Sequence, residues 1–155
     1  MLTPSRGSKK TPRSHLKDGR QPNPLQSTMN PTNNIPVYTD GLFLEHNTGP
    51  GHPERAARLK SCLQALESSE SLKGKLSWNS GRPATRQEIL RCHQGRHYEK
   101  VLKARGLEGR FDADTVHSEK SADASLSAAG CLLTAVEACY GGEHPAAFCL
   151  VRPPG

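Results

Sequence analysis

The sequence predicts an α/β fold, a parallel sheet flanked by helices. Three observations point there. Short apolar runs open and close the patterned part of the chain, at Ile35–Thr39 and Ala146–Val151. Helix-period stretches fill the interval between them. A connection that long between two apolar strands is a crossover, and crossovers join parallel strands. In such sheets, function gathers in loops at the carboxyl ends of the strands. Two segments have that address: the loop 40–53 after the first strand, and the Arg-Pro-Pro-Gly that follows the last.

Each element has its own signature. Residues 1–34 are rich in Pro, Ser, Thr, Asn and basic side chains, with single scattered apolar residues. They bury too little surface to offset ordering entropy, so a disordered tail is expected. Met29 stands just before the first strand and is a second candidate start. The loop 40–53 holds Gly41, Gly49, Pro50, Gly51 and Pro53. A helix is expected from Pro53 or Glu54, with proline suited to its first turn and an acid to its positive end. Ala56, Leu59, Cys62, Leu63 and Leu66 form one apolar stripe at helical spacing. Ser68–Ser71 ends it, and Leu76–Trp78 reads as a short strand. Thr85 with Glu88 three residues on has the form of a capping box, opening a helix at Gln87–Arg91. Gly95 separates this from a helix at about Arg96–Ala104, stopped by Gly106. The longest helix follows, with Ser121 as N-cap and Asp123 in its first turn. Its expected apolar face is Ala128, Cys131, Leu132, Ala135, Val136 and Cys139, and Gly141–Gly142 ends it. Small residues dominate this helix, so it should pack closely on something flat, such as a sheet.

Composition narrows the function classes. A chain of 155 residues makes about one domain. The net charge of +6 is uneven: residues 1–36 carry +5, which leaves +1 for the rest. The basic character belongs to a tail and not to a domain face, which argues against nucleic-acid binding. The five cysteines are odd in number and form no CxxC pair. They read as small buried hydrophobes in a reducing compartment. No run of 18 apolar residues suggests a membrane span, and the N-terminus lacks a signal-peptide core. The expected location is cytoplasmic, with nuclear the alternative given the basic "SKKTPR".

Spacing alone reveals no reaction. His93 and His97 are four apart, a metal-compatible spacing, but Gly95 lies between them and no third ligand stands out. The plainer reading is a helix boundary with one packed ring and one exposed ring. His46 and His52 flank "NTGPG", and a zinc site from them and a cysteine lacks the usual spacing. "TGPG" is no P-loop, since no GK[ST] follows and proline removes an amide donor. Asp112 and Asp114 in "FDAD" read as loop carboxylates or hydrogen-bonding anchors.

The segment "HNTGPGHPERAARL" (46–59) resembles the opening of histone deacetylase, acetoin utilization deacetylase and acetylpolyamine amidohydrolase domains, closer to the class II and bacterial branch than to the class I enzymes. "FDADTVHSEKSADASLSAAGCLLTAVEACYGGEHPAAFCLVRPPG" and "ATRQEILRCHQGRHYEKV" are similar to later parts of the same domain. The resemblance covers residues 35–155 and implies a partial arginase/deacetylase-like fold, truncated after an early core strand. It implies metal-assisted hydrolysis of acetyl-lysine or a similar acetylated amine, with zinc in the full domain. In that family tandem histidines follow "RPPG" at once, then the zinc ligands, then an oxyanion-stabilising tyrosine. No catalytic or metal residue is therefore assigned within 1–155, and no cofactor is expected on this chain alone.

The resemblance carries over Asp114 as the rim carboxylate that accepts substrate amides, where one group can take two donors. It makes His52 and Pro53 part of the tunnel wall, and Arg58 an arginine of the inner cavity. Gly155 matches a glycine of the tunnel floor, where the backbone approaches closely. The expected partner is an acetylated lysine protein or small amine, with no membrane. A non-enzymatic remnant or interaction module is the competing reading. An isolated piece of parallel sheet is also expected to be poorly soluble, because its last strand has an unpaired edge.

Overall fold

The computed structural model describes residues 34–154, so the expectations for the basic tail, for Met29 and for Gly155 lie outside the described residues. Three strands build a parallel sheet in the order β2-β1-β5. They are β1 (Ile35–Tyr38), β2 (Leu76–Asn79) and β5 (Phe148–Cys149). Tyr38 pairs with Asn79 on one side and Cys149 on the other. β1 is central, and it is the most buried strand, with Pro36, Val37 and Tyr38 all inside.

Four helices and a small hairpin complete the described residues. α1 spans Ala56–Glu67, α2 Arg86–Ile89, α3 Gly95–Lys103 and α4 Ser121–Tyr140. A one-turn 3-10 helix, Gly41–Leu44, follows β1 and is capped by Asp40, whose Oδ1 accepts from Leu42 N at 2.8 Å. β3 (Gly109–Arg110) and β4 (Val116–His117) form an antiparallel hairpin. This hairpin was not expected from sequence, since two-residue strands are too short to show alternation.

α4 packs on β1, β5 and the 3-10 turn, and α1 packs on the same turn. The core is Val37, Tyr38, Phe43, Leu59 and Leu150 with Ala124, Ala128, Cys131 and Ala135 of α4. Small side chains on α4 permit a close approach, and Gly130 marks the tightest point. A Cβ there would overlap the Arg82 carbonyl oxygen. The segment before α2 lies across the helix and is bonded to it, with Ala84 N donating to Leu126 O at 2.9 Å. By length and composition α4 also passes as a membrane-crossing helix. Its small-residue face against the sheet identifies it as the core helix.

The capping box is present in full. Thr85 Oγ1 accepts from Glu88 N, and Glu88 Oε2 accepts from Thr85 N at 2.8 Å. Other expectations are corrected. α1 starts at Ala56, so Pro53 and Glu54 precede it in a bend, and Cys62 is exposed. Ser121 is the first helical residue and not the cap, because its hydroxyl is engaged by Ser118 and His46. Leu132 and Val136 face outward, each 56% exposed, since the alanines and Gly130 form the packed face. Cys92 is exposed as well, so only three of the five cysteines are even partly buried. His93 and His97 are both exposed, and their rings stack on each other at 4.9 Å.

Candidate functional site

The carboxyl ends of β1 and β5 meet. Thr39, just past β1, donates its hydroxyl to Leu150 O at 2.9 Å. The chain then runs through the 3-10 turn and the loop to Glu54. Gly49 (φ 86°) and Gly51 (φ 78°) flank Pro50 in left-handed geometry, which a side chain resists. That reversal returns residues 52–54 towards the end of β5.

There Glu54 meets Arg152. Nε donates to Oε1 at 2.5 Å and Nη2 to Oε2 at 2.8 Å, a two-pronged pair in which the planar guanidinium fits the carboxylate. Nη1 donates to Phe43 O at 2.7 Å. Arg152 is only 4% exposed, and all three of its nitrogens are satisfied. The pair closes the two functional loops onto each other across 98 residues of sequence.

His46 extends the cluster. Its Nε2 lies 3.3 Å from Glu54 Oε2, and its Nδ1 lies 2.7 Å from Ser121 Oγ. A carboxylate only accepts, so Nε2 carries the proton and Nδ1 accepts from the Ser121 hydroxyl. Ser121 Oγ in turn accepts from Ser118 N at 2.7 Å, and Ser118 Oγ accepts from Asn47 N at 2.9 Å. Thus the first loop, the start of α4 and the end of β5 share one buried polar chain. Burial lowers the His46 pKa from 6.5; Glu54 opposes this and Arg152 reinforces it, so the neutral ring is favoured. Burial pushes the Glu54 carboxyl up, but the hydrogen bonds and charge of Arg152, with help from His46 and Arg58, hold it below the usual range.

The residues singled out from sequence divide into two groups. His52 and Asp114 come together, with His52 Nε2 donating to the Asp114 carbonyl at 3.2 Å. The Asp114 side chain is exposed at the hairpin tip, and Pro53 is exposed beside His52. Arg58 lies on the other side of Glu54. It is exposed and lines an open recess of about 200 Å³ with Cys62, Cys149 and Pro154. Gly155 lies outside the described residues. His46 and His52 do not converge on a common point with a cysteine, and among the described residues no three His, Cys, Asp or Glu side chains could hold a metal. Sequence reasoning missed the His46–Glu54–Arg152 cluster. It had assigned Glu54 to a helix dipole, and the recurrence of charged residues in both glycine/proline-rich loops was the available signal.

Residues 52–155 match the histone deacetylase domain family. The chain is 38% identical over 125 residues to the protein slr0245 of Synechocystis sp., covering 78% of this chain and 40% of that protein. It is 34% identical over 142 residues to histone deacetylase 8 of Arabidopsis thaliana, covering 80% and 37%. A histone deacetylase-like amidohydrolase of Pseudomonas aeruginosa is 30% identical over 146 residues, again covering 80% and 37%. Among solved structures, the HDA15 HD domain superposes with a TM-score of 0.74 at 30% identity, over 80% of this chain and 37% of that one. The chain therefore spans about two fifths of the length of the relatives it matches.

Proposed function

The chain belongs to the histone deacetylase domain family, and from that premise we propose that it is the N-terminal portion of a zinc-dependent deacetylase domain. The complete domain would hydrolyse the amide of acetyl-lysine or of a similar acetylated amine. The observation that carries this reading is the meeting of the two family-matching loops at the carboxyl edge of the parallel sheet, held by Glu54 and Arg152. That edge is where α/β folds place their chemistry.

In this reading the chain supplies the scaffold and the substrate-facing rim. Asp114 presents an exposed carboxylate to substrate amides, His52 and Pro53 form the adjoining wall, and Arg58 faces the inner recess. Gly155 would form part of the tunnel floor. The described residues do not fit a zinc site, because no three donors converge. The zinc ligands, the histidines that handle the water and the tyrosine that stabilises the oxyanion are assigned to polypeptide outside residues 1–155. By the same reasoning this chain alone is inactive. Its cellular setting is proposed as cytoplasmic, with nuclear the alternative.

The test is the reading frame downstream of codon 155, followed by assay of the complete product. A frame that continues into tandem histidines, with chelator-sensitive release of acetate from an acetyl-lysine peptide, supports the proposal. A stop codon at that point, or a complete product without turnover, favours a non-enzymatic remnant.

A further inference from the structure

We infer that His52 is a positioning residue that holds the backbone of Asp114, and through it the angle at which that carboxylate is presented. The inference rests on the deacetylase reading for what Asp114 does, and on geometry for what His52 does.

The tip of the β3–β4 hairpin is built around Asp112. Its Oδ1 accepts from Asp114 N at 3.0 Å and from Thr115 N at 2.8 Å. Phe111 N donates to Thr115 O at 2.9 Å, and Arg110 Nη1 donates to Ala113 O at 2.8 Å. The turn is thus internally ordered, and the Asp112 carboxylate is committed to it. Asp114 is left with its side chain exposed and its carbonyl oxygen pointing to the first loop.

His52 takes that carbonyl. Its Nε2 donates to Asp114 O at 3.2 Å across 62 residues of sequence. The other ring nitrogen is fixed by Glu54, whose backbone N donates to Nδ1 at 3.1 Å. Glu54 is itself locked by Arg152. A rigid line therefore runs from the end of β5 through Glu54 and His52 to the hairpin tip. The ring is held at one nitrogen by the Glu54 backbone and grips the rim with the other. The base of the hairpin is tied separately, by Asn47 N to Ser118 Oγ. Losing His52 would free the tip while leaving the base attached.

Nδ1 also lies 2.9 Å from Glu54 O, so both polar atoms of the Glu54 backbone face it.

Two measurements test the inference. In the complete enzyme, loss of one partly exposed hydrogen bond predicts that His52→Ala raises KM for an acetyl-lysine peptide roughly fivefold with little change in kcat. His52→Gln, whose amide can donate to the same carbonyl, should recover most of that loss. Adding His52→Ala to Asp114→Ala should cost nothing further. Additive losses, or an Ala variant with wild-type KM, would overturn it. In the 155-residue chain, hydrogen exchange across 108–117 should quicken in His52→Ala and not in His52→Gln, with α4 unchanged in both. Unchanged exchange at 108–117 also overturns the inference. A complete wild-type product without turnover defeats the deacetylase reading instead, and leaves the exchange experiment to decide the role of His52.

Discussion

Replacing Glu54 by Gln should be among the most damaging single changes outside the apolar core. The substitution keeps size and removes one charge. Arg152 then holds a cation in a site that is 4% exposed, with only neutral acceptors around it. Removing one partner of a buried ion pair costs about 3–5 kcal/mol. The Glu54 side chain retains 16% exposure, which admits some water and places the expected loss near the lower end, about 3 kcal/mol. At about 1.4 kcal/mol per decade, this lowers the folded-to-unfolded ratio by roughly a hundredfold. Urea denaturation at low protein concentration measures it, with the single tryptophan, Trp78 of β2, as the reporter. Arg152→Met should be costly too, because it leaves the Phe43 carbonyl without its donor and the Glu54 carboxylate with only His46. The double variant Glu54→Leu/Arg152→Met removes both charges and should lose much less than the two singles together. A Glu54→Gln loss under about 0.5 kcal/mol, or a double variant that loses the full sum, would mean that the pair is not a coupled buried ion pair.

Other outcomes follow from the same structure. Stability should fall on acidification in two stages. His46 has a folded pKa below 6.5, so the unfolded chain binds the extra proton first and stability declines as pH drops beneath about 6.5. Glu54 has a folded pKa below 4.5, so its contribution is full above that value and is lost as pH falls through the folded pKa. Thermal melts across pH 4–8 should show the first stage vanish in His46→Gln. Gly130→Ala should destabilise by about 1–3 kcal/mol in urea titrations, because the new Cβ meets the Arg82 carbonyl and the chain must shift. The isolated chain should self-associate with rising concentration through the free edge of β5, where Phe148 is 50% exposed, beside exposed Leu132, Val136 and Tyr140 on α4. Phe148→Lys should reduce that association in sedimentation velocity runs.

Local features of this fold were legible in the sequence. The Thr85–Glu88 capping box, the Gly141–Gly142 stop of α4 and the strands around the crossover rest on short-range rules, and the structure has all of them. The parallel pairing also followed, because a long helical connection leaves little alternative. The Glu54–Arg152 pair did not follow. An arginine before Pro-Pro looks the same in sequence whether it is solvated or buried, and its partner stands 98 residues away. Helix periodicity likewise misplaced Leu132 and Val136. Packing on α4 is decided by where the backbone can approach, at Gly130 and the alanines, and not by which residues are most apolar.

In the reading proposed above, this chain carries the scaffold and rim of a deacetylase domain while the zinc chemistry lies elsewhere in the polypeptide. The most direct test is to load the purified 155-residue chain with zinc, measure the bound metal, and assay acetate release from an acetyl-lysine peptide. No stoichiometric zinc and no turnover are expected. One zinc per chain with zinc-dependent deacetylation would contradict that reading.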